Sequence, residues 1–243
     1  MFGGYRWFHD PEAVGADTFP WMAREGHSPM DQSASFFDRG LVERLDLPGY
    51  VDASYRDALA EVPHLGDDVL RRQAERYGAD PAQERRMREV CYLHLSRFVQ
   101  ILLDRKDRMS MASGLEVRVP FCDHRLVQYV FNTPWALKTF DGREKSLLRG
   151  ATRDVLPSSI VDRVKSPYPS TQDPGYEKAL REQLNTLVAD RDAPVRELID
   201  PSAVQQAVDA PQEAASIDHQ RAEMEKVLQL DAWMREYRPA LEL

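Results

Sequence analysis

Three short stretches carry residues whose types and spacing could do chemistry. The longest, Asp107-Arg-Met-Ser-Met-Ala-Ser-Gly-Leu-Glu116-Val-Arg118-Val-Pro-Phe-Cys-Asp123, follows the charged run Asp104 to Arg108. In it Glu116 and Arg118 alternate with Leu115, Val117 and Val119, which on an extended chain sends the charges to one side and the apolar residues to the other. Pro120 stops a helix from running through. The second is Gly142-Arg-Glu-Lys145-Ser-Leu-Leu-Arg149, and the third is Phe2-Gly3-Gly4-Tyr5. A carboxylate such as Glu116 can accept a proton from a reacting group, and an ammonium such as Lys145 can stabilise charge growing on a phosphate. Asp107, Arg108 and Arg118 suit an ionic network holding the Glu116 segment against the end of a preceding helix. Gly3 and Gly4 permit close approach, having no Cβ to clash.

These three stretches together resemble the synthetase domain of glutamine-dependent asparagine synthetases. The first is similar to that family's Asp-Arg-x-Ser-Met-Ala-x-x-Leu-Glu-x-Arg-x-Pro-Phe-Leu-Asp signature, with Cys122 at the Leu position. The second is similar to its Gly-x-x-Lys-x-x-Leu-Arg element, continued by Leu156-Pro157 and Arg163-Val-Lys165, and the third to the end of its Phe-Gly-Gly-Tyr loop. The resemblance is strong over 1–10 and 92–168, weak over 11–91 and general over 171–243.

What the resemblance implies is a reaction in two steps. ATP, with Mg, activates the side-chain carboxylate of aspartate as an acyl-adenylate, and ammonia from glutamine then attacks to give asparagine and AMP. Lys145 is expected beside the α-phosphate, and Glu116 within reach of the ammonia that must lose a proton. Gly3, Gly4, Asp107, Arg108 and Arg118 are expected to organise the site or bind nucleotide, and Arg149 and Lys165 to reach toward pyrophosphate. The family's leading Cys and its Ser-Gly-Gly-x-Asp-Ser turn, whose backbone N–H groups cradle pyrophosphate, do not occur here. The chain thus reads as a C-terminal part of a longer synthetase, inactive without glutaminase and ATP-loop portions that also hold most Mg ligands. A related carboxylate-adenylating cyclase, of the β-lactam synthetase or lasso-peptide kind, and a non-catalytic helical interaction module are the competing readings.

The elements that must position these residues are read from pattern. With 243 residues and 42% hydrophobic content, one substantial core is within reach. The fold expected is mainly α: the helical C-terminal portion of an α/β adenine-nucleotide α-hydrolase-like (PP-loop ATP pyrophosphatase) synthetase domain. It is taken as a single mostly helical region over 1–243, irregular with short helices over 1–79, with a long helix and the active-site segment over 80–165 and further helices over 166–243. Asp80-Pro81 starts the long helix, whose buried face is predicted at Met87, Val90, Cys91, His94, Leu95, Phe98, Ile101 and Leu102. His94 on that face reads as a core residue, and no metal site is expected. Asp123 caps a deeply buried helix over 126–131, another helix covers Lys145 to Asp154, and Asp173-Pro174 and Asp200-Pro201 start two more. A last helix over 212–237 uses Met224, Val227, Leu228, Trp233, Met234 and Tyr237.

A net charge of −8 and a pI near 5.3 argue against nucleic acid as a partner, since phosphate neutralisation needs a basic face. The arginines at 71, 72, 76, 85, 86 and 88 are interleaved with acids and read as a solvated helix face. Two distant cysteines, with no secretory or membrane-spanning segment, suggest the cytoplasm. An isolated helical portion is further expected to expose apolar surface and to self-associate.

Overall fold

A computed structural model of the chain describes residues 2–23, 36–164, 173–209 and 217–241. It is mainly helical, with an isolated bridge between Phe37 and Ile199 as the β-pairing among the described residues. Two compact units are present, one from Met1–Gly26 and Val51–Ser166, the other from His27–Tyr50 and Pro167–Leu243.

The first unit is organised by a helical rod. Asp80 accepts from the Ala82 N–H at 3.1 Å, Pro81 occupies the first turn, and the α-helix Pro81–Leu93 follows. The rod then widens into one turn of π-helix at His94–Phe98, closed by Val99 N donating to His94 O, and continues as the α-helix Val99–Ala112. Met87, Val90, Cys91 and His94 are buried as predicted. One turn of π-helix interrupts the α-helical register there; beyond it Ile101 is 67% exposed and the Val99–Ala112 helix has no buried residue on any face, correcting the expected continuous face. Leu93, off the predicted face, is instead fully buried with Phe19, Tyr55 and Ala58.

A second cluster joins Phe8, Met87, Val90, Cys91 and Trp135. His94 packs inside a ring of aromatics, 5.1 Å from Phe8 and Phe98 and 5.3 Å from Tyr5, while Tyr5 stacks on Trp7 at 4.3 Å. These contacts fasten the Phe2-Gly3-Gly4-Tyr5 stretch to the rod. Two of the arginines read as solvated are structural: Arg86 donates to the carbonyls of Val14 and Ala16 at 2.7 and 2.9 Å, and Arg88 lies 4.2 Å over the Phe131 ring.

Beyond the rod, Leu115 to Val119 runs without helix and is exposed throughout; Pro120 opens a 3₁₀ turn to Cys122. Asp123 accepts from Arg125 N at 2.9 Å and caps the helix His124–Asn132. That helix is not deeply buried: only Val130 is, and Tyr129 is 71% exposed. Glu84, itself buried, accepts from the N–H groups of Trp135 and Ala136 at 2.6 and 2.8 Å, anchoring the turn Trp135–Lys138 to the rod.

The second unit packs the helices Pro174–Ala189, Pro201–Asp209 and Ile217–Tyr237 around Leu184, Val195, Val204, Met224 and Val227, all essentially without solvent contact. Asp173 and Asp200 cap the first two as predicted, accepting from Gly175 N and Ser202 N at 2.8 Å each. Trp233 and Tyr237, expected in the core, are 48% and 66% exposed, because Met224, Val227 and Met234 occupy the buried side of that helix. No helix among the described residues is long and apolar enough to cross a membrane.

Candidate active site

The site is built where the glycines meet Lys145. Gly3 has φ +62°, and a Cβ there would lie 2.7 Å from the Trp135 ring. His9 Nε2 fixes the same residue by bonding its carbonyl at 2.8 Å. A Cβ at Gly4 would fall 2.6 Å from Lys145 Cε. The glycine pair therefore lies against both the Trp135 ring and the aliphatic stem of Lys145.

Lys145 stands at the N-cap of the helix Ser146–Thr152 with φ +58°, a left-handed backbone that a non-glycine residue adopts only where its surroundings impose it. The sequence pattern had put it inside the helix. Among the described residues its ammonium has no hydrogen-bond or ion-pair partner. Its turn, by contrast, is tightly bonded. Asp141 accepts from the Ser146 hydroxyl, from Arg143 N at 3.1 Å and from Arg143 Nε at 2.8 Å. The Ser146 hydroxyl and the Arg143 guanidinium hold the Asp141 carboxyl down at about 2.

Arg149 closes the other side of the turn. Its Nε donates to the Glu144 carbonyl at 2.9 Å and its Nη2 to the Glu144 carboxylate at 3.1 Å and the Arg163 carbonyl at 2.9 Å, while Nη1 donates to the Val161 carbonyl. Lys145 and Arg149 line a cavity of about 370 Å³ with Phe121, Leu148, Ile160 and Val164. Phe121 brings the end of the Glu116 motif to this cavity, and Phe2 packs edge-on against it at 5.8 Å.

Glu116 is not among the residues lining that cavity. It is 64% exposed and pairs with Arg118 at 2.9 Å on the same extended segment. Arg108 pairs along its own helix with Asp104 at 2.7 Å. Asp107 borders a groove of about 360 Å³ between the helix end and Val117 and Val119, which lays the Glu116 segment beside the rod. Lys165 lies outside the described residues. Among those described, the structure thus brings Gly3, Gly4, Lys145 and Arg149 into one assembly, and groups Asp107 with the Glu116 segment. Trp135, Asp141 and Glu144 were missed by sequence reasoning; a Gly-x-x-Lys element flanked by acids was the signal that could have drawn notice to the last two. No group of three or more His, Cys, Asp or Glu that could hold a metal ion exists among the described residues.

The sequence profile of the family described as asparagine synthase matches residues 1–235. The chain is 40% identical over 209 residues to asparagine synthetase [glutamine-hydrolyzing] 3 of Bacillus subtilis, an alignment covering 86% of this chain and 31% of that protein. A second Bacillus subtilis protein, asparagine synthetase [glutamine-hydrolyzing] 1, is 38% identical over 68 residues, covering 28% of this chain and 11% of its own. The rat asparagine synthetase [glutamine-hydrolyzing] is 43% identical over 67 residues, 26% of this chain and 12% of its own. The chain therefore spans about a third or less of the length of these relatives. With the profile running almost end to end and the glycine pair seated on the motif lysine, the chain belongs to the asparagine synthase family.

Proposed function

We propose that this chain contributes Lys145 and Glu116 to the ATP-dependent conversion of aspartate to asparagine. The aspartate side-chain carboxylate attacks the α-phosphorus of ATP, pyrophosphate leaves, and ammonia released from glutamine displaces AMP from the acyl-adenylate. The observation that carries this reading is Lys145 itself. It is an ammonium without an ionic partner among the described residues, on a left-handed backbone braced from both sides, with Gly4 against its stem. A preorganised cation of that kind stabilises charge on a transferring adenylyl group without reorganising when the charge appears.

Glu116 serves the second step, taking the proton that ammonia loses on forming the amide. Mg accompanies ATP, and its protein ligands are assigned outside this chain, as are the glutaminase and the pyrophosphate-binding turn. The reaction is assigned to the cytoplasm.

The exposed apolar residues favour one addition. Ile101, Met109, Leu115, Phe121, Val155 and Val164 are between 51% and 81% exposed. Runs of exposed apolar side chains on that scale mark a surface made to be covered, so the chain works with further polypeptide laid on the first unit and is inactive alone. ATP–pyrophosphate exchange with aspartate tests the proposal: none is expected from the 243 residues alone, and robust exchange once glutaminase and ATP-loop portions are joined to them. Turnover by the chain alone would overturn the dependence, and absence of exchange in the joined protein would overturn the reaction.

A further inference from the structure

Arg149 is the arginine of the Gly-x-x-Lys-x-x-Leu-Arg element, and its position near Lys145 invites a role as an anion ligand. Its bonds say otherwise. A guanidinium has five N–H donors, and four donor contacts of Arg149 are made within the protein: to the Glu144 carbonyl, the Glu144 carboxylate, the Val161 carbonyl and the Arg163 carbonyl. The side chain is 12% exposed. An incoming phosphate would have to strip these partners, among them the carbonyls of Val161, the last residue of the helix Ser158–Val161, and of Arg163 just beyond it.

Lys145, by contrast, needs something to hold it. A non-glycine residue at φ +58° persists only when neighbouring structure over-determines it. Asp141 fixes the turn from its N-terminal side through Ser146 and Arg143, and Arg143 reaches on to Asp162 at 3.0 Å. On the C-terminal side, Arg149 grips the residue immediately before Lys145 by both its carbonyl and its carboxylate. Arg149 N also donates to the Lys145 carbonyl at 2.9 Å. The geometry points to Arg149 as a positioning residue: it sets the Lys145 ammonium by fastening the Glu144–Lys145 turn to the Val161–Arg163 chain, and it does not bind the phosphates. This rests on the role given to Lys145 above.

The fork geometry makes the idea testable, because lysine cannot replace it. One ammonium offers three donors from a single point and cannot span four acceptor atoms on two separate segments. The 243-residue chain has six lysines, so reductive methylation with ¹³C yields few signals, and Lys145→Arg identifies the one from Lys145. In Arg149→Lys and Arg149→Met the Lys145 signal should leave its wild-type position before any ligand is added, with the exposed Lys106 signal unmoved. Glu144→Ala, which keeps the guanidinium and three of its four contacts, guards against loss of fold and should shift the Lys145 signal in the same direction by less.

Titration with inorganic pyrophosphate, carried out on the chain joined to its ATP-loop portion, separates the two roles. A Lys145 signal unchanged in all three variants, with loss only of the pyrophosphate response in the Arg149 variants, would make Arg149 an anion ligand and overturn the inference. A wild-type Lys145 signal indifferent to pyrophosphate, but displaced in the variants, would count against the proposed role of Lys145 and leave the positioning by Arg149 standing.

Discussion

The two adjacent glycines should respond to the same substitution in opposite ways. Alanine at Gly3 meets a rigid neighbour, the Trp135 ring at 2.7 Å, on a backbone at φ +62°. The left-handed backbone costs roughly 1–2 kcal/mol, and overpacking against a ring that cannot yield adds roughly 1–3 kcal/mol. Gly3→Ala should therefore lower unfolding free energy by about 2–5 kcal/mol. Alanine at Gly4 meets only the flexible stem of Lys145. To reach ordinary contact, Lys145 Cε must retreat from 2.6 Å to at least 3.4 Å, a shift of 3.4 − 2.6 = 0.8 Å. A flexible, partly buried stem makes that move for about 1 kcal/mol or less, but a misplacement of about 1 Å in a reacting group costs about 10²-fold in rate. Urea denaturation should then show Gly3→Ala destabilised and Gly4→Ala near wild type, while ATP–pyrophosphate exchange in the joined protein falls about a hundredfold in Gly4→Ala. A Gly4→Ala protein that exchanges at the wild-type rate, or unfolds as easily as Gly3→Ala, would refute the contact as a determinant of Lys145.

Further outcomes follow from other contacts. Asp141 has its carboxyl depressed from 3.8 to about 2 by the Ser146 hydroxyl and Arg143; a depressed acid stabilises the fold above its unfolded value and loses that contribution as pH falls through the folded one. The Lys145 turn should loosen between about pH 4 and pH 2, and Asp141→Asn should remove that part of the acid sensitivity in denaturation curves compared with wild type. An unaltered acid limb in the variant would dissociate Asp141 from it. Glu84→Ala strips a buried carboxylate from two backbone N–H groups and should cost about 2–4 kcal/mol by urea titration; a loss below about 1 kcal/mol would mean those donors find other partners. The exposed apolar residues should make the chain self-associate on light scattering, and a sharp, concentration-independent monomer would count against that. Glu116→Gln should slow ammonia-dependent synthesis in the joined protein without weakening ATP binding, whereas an unaltered rate would leave Glu116 structural.

Much of the local structure was legible in the sequence because its causes are local. Asp80, Asp123, Asp173 and Asp200 all cap helices, each by a carboxylate accepting the N–H two residues on. The mainly helical fold and the buried face from Met87 to His94 follow from residue spacing. What escaped has non-local causes. The π turn at His94–Phe98 lies among aromatics from Tyr5, Trp7 and Phe8, distant in sequence, and no period in the rod itself forecasts that turn or the exposure of Ile101, which depends on what packs against the helix. Family motifs located Lys145, but its left-handed backbone depends on bonds reaching from Arg149 to Val161 and Arg163. The contact of Gly4 with Lys145 joins two motifs that only tertiary structure brings together.

The central claim, that Lys145 is the cation serving adenylation, is tested most directly by ATP–pyrophosphate exchange of Lys145→Ala in the joined protein, with folding checked by circular dichroism. Exchange should be abolished while the helical signal stays at the wild-type level. Near-normal exchange by a folded Lys145→Ala protein would contradict the account.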